Sequence, residues 1–354
     1  MKINASIQKC LSTVFFIGLF LSVVWLSPVF GEEPQKEVNY ETGFYYTVKK
    51  GDTLWDISQR FNDTPWQWPE LWKENDQLPN PHWIYPGERI RLFRKSDLHR
   101  YQEQMKPVPT ATPQITVQQQ DTGPAPEVHF IYGRMSRIGF IRKPAVQPLG
   151  RIFSVVDNKK LISTGDVVYV GPPSTGTTHK FSPGARFTVY RTLKPTPEKH
   201  SDKVIGTQHL LLGVVEVTKI EPKYAIAKVI DSFRDINIGD LLMTYKERSP
   251  EVTVTDSTPN IEGKLISSEE HTKLIGTGMV AFMDKGDVDN IRIGQQYTLC
   301  YQETKKRVDG EKPLTLAPVD VGSLVVLHTE KTTSTVYITN AISKITPGQK
   351  IRTP

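Results

Sequence analysis

The spacing of apolar and polar positions changes twice between Tyr45 and Leu92. Residues alternate over Tyr45-Tyr46-Thr47-Val48, move to helical spacing at Leu54, Ile57 and Phe61, and alternate again over Glu88-Arg89-Ile90-Arg91-Leu92. The pattern predicts strand, helix, helix, strand. Gly51-Asp52 ends the first strand, and Thr53 followed by Asp56 has the spacing of a helix-capping box. Asn62-Asp63-Thr64-Pro65 breaks the first helix. The second runs from about Trp66 to Asn75, with its regular part beginning near Trp68 because Pro69 fits only a first turn. Leu71 and Trp72 supply its inner face, Pro79-Asn80-Pro81 an extended turn and Pro86-Gly87 a tight one.

Beyond residue 128 the periodicity is that of strands. Runs such as Leu211-Leu212-Gly213-Val214-Val215-Glu216-Val217 and Tyr224-Ala225-Ile226-Ala227-Lys228-Val229-Ile230 are separated by glycine turns, with no long helical period. The region also repeats itself. Gly150-Arg151-Ile152-Phe153 matches Gly263-Lys264-Leu265-Ile266, Gly165 matches Gly278, and the run Pro183 to Tyr190 matches Ile293 to Cys300. Gly213 and Gly239 then match Gly322 and Gly348. The expected architecture is multidomain: a small α+β (βααβ) module at 44–93, then two tandem all-β domains, each a barrel or a sandwich, at 129–246 and 263–354. Glu247–Asn260 is the joint between the copies. Residues 99–128, rich in Pro, Gln and Thr and nearly uncharged, read as a flexible linker that separates the module from the rest.

Charge and cysteine content narrow the classes. Residues 1–31 have a cationic start at Lys2 and Lys9, an apolar run from Leu11 to Trp25, and small residues Val29 and Gly31 before an acidic pair. This is the layout of a secretory signal peptide, with an uncleaved membrane anchor as the alternative and the leader as the only membrane contact. Removing Lys2 and Lys9 leaves 42 basic and 38 acidic residues, with no basic run, which argues against nucleic-acid binding. Cys300 is then the one remaining cysteine, so no intramolecular disulfide forms and stability rests on packed cores. Its strand-like surroundings, Gln296 to Tyr301, suggest a small buried hydrophobe.

Every tryptophan beyond the leader, Trp55, Trp66, Trp68, Trp72 and Trp83, lies in the 44–93 module. Tyr46-Thr47-Val48, Gly51-Asp52-Thr53-Leu54, Ile57-Ser58, Leu71, Asn75 and Ile84-Tyr85-Pro86-Gly87 occur in the order of the LysM module, which this stretch resembles. The resemblance covers about a seventh of the chain and implies a βααβ fold that binds N-acetylglucosamine-containing glycan, peptidoglycan in bacteria. It also implies a groove flanked by two loops, carrying over to Gly51, Asp52, Thr53, Leu54, Ile84, Tyr85, Pro86 and Gly87. Asn75 matches the family's helix-end asparagine, which ties down the following loop more often than it touches sugar. Oriented backbone amides on those turns suit sugar recognition, with aromatic surface for the C–H faces. Phe61 to Ile84 departs from the family by being longer and richer in Trp and Pro. Trp72 reads as core and Trp55 as lying at a helix edge. Trp66, Trp68 and Trp83 either close a second cluster over that core, the favoured reading, or widen the glycan surface. The β-domains are similar, without any residue carried over, to C-terminal domains of some bacterial envelope and flagellar assembly proteins.

Catalytic motifs do not emerge. The histidines are scattered, the flanks of Cys300 match no nucleophile motif, no G-x-S-x-G pattern occurs, and no S-x-x-K pattern occurs beyond the leader. Carboxylate pairs for glycoside hydrolysis need no local signature, so a peptidoglycan hydrolase is the third reading. The first is a non-catalytic, exported protein of the periplasm or cell envelope that needs no cofactor or metal. It binds peptidoglycan through the module and presents the β-domains. The second is an assembly or adaptor protein in which residues 129–354 bind another envelope protein.

Overall fold

The computed structural model describes residues 40–62, 64–92, 127–172, 181–194, 196–197, 204–305 and 314–354. The expected signal peptide and nearly all of the expected linker lie outside them.

The module has the predicted order: strand β1 (Gly43–Thr47), helix α1 (Leu54–Asn62), helix α2 (Trp68–Lys73) and strand β2 (Arg89–Leu92). A single 3-10 turn, Pro65–Gln67, leads into α2, and Pro69 sits in its first turn where no intrahelical N–H is lost. The capping box forms as its spacing requires. Thr53 Oγ1 accepts from Asp56 N at 3.1 Å, and Thr53 N donates back to Asp56 Oδ2 at 3.2 Å. Strands β1 and β2 pair antiparallel with Tyr46 opposite Ile90. Those two residues join Val48, Leu54, Ile57, Leu71 and Leu78 in one buried core, and Trp68 and Trp72 pack against it.

The chain then returns to the module. Strand β3 (Val128–Ile131) pairs with the opposite edge of β1, Phe44 facing Phe130. The expected boundary at 129 assigns this strand to the first β-domain, whereas its hydrogen bonds place it in the module's sheet. The short β4 (Phe140–Arg142) follows. The first β-domain contains β5 (Gly150–Val155), β6 (Val167–Gly171), β7 (Arg186–Thr192), a two-residue β8 (Thr196–Pro197), β9 (Val204–Ile220), β10 (Ala225–Ser232) and β11 (Leu241–Thr244). In the joint, β12 (Glu251–Thr253) pairs with β3, so the module's sheet runs β12-β3-β1-β2. The second domain contains β13 (Glu262–Ser268), β14 (Val280–Met283), β15 (Gln296–Tyr301), the ribbon β16 (Thr304–Lys305) and β17 (Leu314–Thr315), then β18 (Val319–Thr329), β19 (Ser334–Ala341) and β20 (Lys350–Arg352).

Both domains are barrels with one topology. The second closes in the order β13-β14-β19-β18-β15-β20. In the first, pairing of β9 with β10 closes the ring β5-β6-β10-β9-β7-β11. Under the sequence repeat the two orders are the same. Matched glycines do matched work: a Cβ on Gly213 would overlap Asp231 O, and one on Gly322 would overlap Asn340 O. Cys300 is buried in β15, as its surroundings suggested.

The described residues from Tyr40 onward form one compact unit. Phe44, Phe130, Tyr132 and Val252, from the module's sheet and the segment after it, share a buried cluster with Val280, Val325 and Leu327 of the second barrel. Strand β4 pairs with β9 of the first barrel along one edge. Its other side meets the second barrel: Thr335 Oγ1 donates to Gly139 O at 2.8 Å and Thr333 Oγ1 to Ile141 O at 2.6 Å. Arg142 makes a bidentate pair with Glu330, at 2.7 and 2.9 Å. An edge that would otherwise be open is thus covered.

Candidate functional site

The module carries a cleft of about 350 Å³ between the start of α1 and the loop before β2. Asp52, Thr53, Leu54 and Trp55 form one wall, and Pro81, His82 and Ile84 the other, with Trp68 also lining it. The first wall is fixed from beneath. Asp52 Oδ2 accepts from Tyr46 Oη at 2.6 Å and from Lys49 N at 2.8 Å, and Arg60 Nη1 donates to Tyr46 Oη at 3.1 Å. Burial and the Asp52 carboxylate push the Tyr46 phenol up to about 12. Gly51 turns the chain at φ +96°, a conformation that costs a residue with a Cβ about 1 kcal/mol.

The second wall is held by its own short bonds. His82 N donates to Asn80 Oδ1 at 2.9 Å, Trp83 N to Asn80 O at 3.1 Å, and Trp72 Nε1 to Leu78 O at 2.9 Å. The His82 ring centre lies 6.2 Å from that of Trp68.

Of the nine expected site residues, Asp52, Thr53, Leu54 and Ile84 line the cleft, whereas Gly51, Asn75, Tyr85, Pro86 and Gly87 do not. Asn75 is fully buried, bonded to Leu71 O, Arg91 N and Arg91 O. Tyr85 is exposed in the turn beside the cleft, and Gly87, at φ +93°, donates to Val48 O at 2.9 Å. The turn amides are largely engaged within the protein: Asp52 N with Lys49 O, Thr53 N with Asp56, Tyr85 N with Glu88 and Gly87 N with Val48. Their local partners stiffen the walls.

Sequence reasoning assigned no site role to Trp55, Pro81 or His82, and preferred a core role for Trp68. The departure from the family pattern, Trp66 to Pro69 and Asn80 to Trp83, was the signal that held Trp68, Pro81 and His82. Trp68 both packs on the core and faces the cleft, since one face of an indole is wide enough for each. Trp66 and Trp83 correct the expected second cluster: they are 75% and 66% exposed, because the core beneath is already closed by Trp68 and Trp72.

Comparison with known proteins bears on the same stretch. Residues 46–93 match the LysM domain. Over 57 residues the chain is 39% identical to the uncharacterized protein YqbP of Bacillus subtilis (strain 168), which is 13% of this chain and 26% of that relative. The match thus spans about a quarter of the relative's length. Fold order, cleft and comparison agree on one assignment: residues 46–93 are a LysM domain.

Proposed function

We propose that this protein is an exported, non-catalytic component of the cell envelope. In this reading the LysM cleft holds it to peptidoglycan through N-acetylglucosamine. The observation that carries the reading is the cleft's wall chemistry. Trp55 and Trp68 offer ring faces to sugar C–H groups and N-acetyl methyls, Leu54 and Ile84 extend the apolar floor, and Asp52 and His82 stand at the polar positions.

Trp55 gives the cleanest test because it lines the cleft while lying outside the core cluster. A sugar that covers about 60 Å² of its indole gains about 1.5 kcal/mol, roughly ten-fold in affinity. Trp55→Ser combined with His82→Ala should weaken binding of N-acetylglucosamine oligomers by at least that factor and release the full chain from insoluble peptidoglycan. Point variants suit this test better than removing the module, because β1 also pairs with β3. Unchanged retention of a folded double variant would refute the proposal.

The adaptor reading has one observation in its favour. A large cavity, open to solvent, lies between the two barrels and plays no part in the LysM cleft.

A further inference from the structure

A cavity of about 800 Å³ lies between the two barrels and is lined on one side by residues 244–255, which lead into the joint. That volume is at the upper end of ligand clefts. Its walls mix two chemistries. Val146, Met243 and Ile293 supply accessible apolar surface, backed by the buried Phe140, Leu211 and Leu327, and hydroxyl groups such as those of Ser136 and Thr188 are interspersed among them. A lipid tail prefers a continuous apolar lining. An extended peptide, whose backbone needs partners between its side chains, fits the alternation better.

Of the charged side chains lining the cavity, Lys246 and Glu247 are exposed to solvent, whereas Arg142, Glu251 and Glu330 are held in ion pairs. Glu330 is bound by Arg142 at 2.7 Å and by His328 at 3.0 Å, and Glu251 by Arg89 at 2.8 Å. Arg248 differs. Its Nη1 donates to the carbonyls of Ile138 and Met135, at 2.8 and 3.4 Å, and no carboxylate among the described residues comes within ion-pair distance. Burial pushes its guanidinium below the ordinary arginine range, against the longer-range pull of Glu330 and Glu269. A half-buried cation without a carboxylate, on the wall of a cavity, is poised for an anion.

We propose that this cavity receives the carboxyl-terminal end of an extended peptide from a partner protein, its terminal carboxylate on Arg248 and its side chains among Val146, Met243 and Ile293. The site is independent of the glycan cleft and would give residues 129–354 a task of their own.

The test is selection on the full chain of random heptapeptides displayed with free carboxyl termini. Enriched peptides are expected to bind one to one and to lose at least ten-fold in affinity when the terminus is amidated. They should lose as much against Arg248→Gln, which keeps a donor for the Ile138 carbonyl. Thr244→Trp, an exposed position on the cavity wall, should block the peptides while leaving Arg248 in place. If Arg248→Gln lowers the unfolding midpoint, Thr244→Trp and the amidation comparison decide. Absence of enrichment overturns the proposal, as do peptides that bind equally well as amides or that ignore Thr244→Trp. Uptake of dodecanoate in preference to every peptide would give the cavity to an acyl chain and overturn it too.

Discussion

Asn75 is where a structural and a sugar-binding role separate most sharply. Its Nδ2 donates to Leu71 O at 2.6 Å and Arg91 O at 3.2 Å, and its Oδ1 accepts from Arg91 N at 2.7 Å. One side chain thus joins the end of α2 to strand β2. Asn75→Ala removes three bonds to backbone groups, each worth about 1 kcal/mol net, so the link weakens by about 3 kcal/mol. By native-state hydrogen exchange the Arg91 amide should lose protection by about two orders of magnitude, while amides in the two barrel cores keep theirs. Asn75→Asp keeps the acceptor but turns two donated bonds into carboxylate–carbonyl contacts. It should be the worse variant at neutral pH and recover as the carboxyl is protonated on acidification. Arg91 protection within about three-fold of wild type, together with lost affinity for N-acetylglucosamine oligomers, would refute the structural assignment and return Asn75 to the sugar.

Three further outcomes follow from the same geometry. Thr53→Ala and Asp56→Ala should each destabilise the module by about 1 kcal/mol, and the double variant should fall short of the sum because both remove one capping box; urea unfolding followed by Trp fluorescence measures this. Gly213→Ala and Gly322→Ala should destabilise their respective barrels by similar amounts, about 1–3 kcal/mol or more, since each new methyl overlaps a carbonyl of the neighbouring strand; unequal effects would break the equivalence of the copies. Tyr46 and Tyr190 are both pushed up to about 12 by burial, with a hydrogen bond to Asp52 adding to the effect at Tyr46. Because the neutral phenol is favoured in the folded chain, this stabilisation is complete below pH about 10 and is lost as pH rises towards about 12. The unfolding midpoint should fall in that window, and less steeply in a Tyr46→Phe, Tyr190→Phe double variant.

How much was legible in the sequence depended on how local the cause was. The capping box and the Pro69 first turn follow from residues close in sequence, and both helices and both strands appear about where the apolar period puts them. The barrel repeat was legible because glycines at close approaches, such as Gly213 and Gly322, leave a spacing that duplication copies. The placement of β3 and β12 was not. Neither Val128–Ile131 nor Glu251–Thr253 differs in composition from a barrel strand, and their membership of the module's sheet is decided by the pairing of β3 with β1, of β12 with β3, and by burial against the second barrel. The cleft residues Trp55 and His82 escaped because an exposed aromatic or imidazole carries no periodic signature. Only the wall opposite gives them a role.

The position of β12 has a consequence for how the chain matures. Arg89 on β2 reaches Glu251 across 162 residues of sequence, and Arg142 reaches Glu330 across 188. A nascent chain can form α1, α2 and the β1–β2 pair early, but its amino-terminal sheet gains its outermost strand only after Thr253 has emerged. The second barrel must be present before Phe44 and Phe130 are covered. Contacts of such separation slow folding and leave apolar surface open in the interval. The first domain to be synthesised is therefore among the last to be finished, and the interval before its sheet is closed is the stage at which assistance from a chaperone would have most to protect.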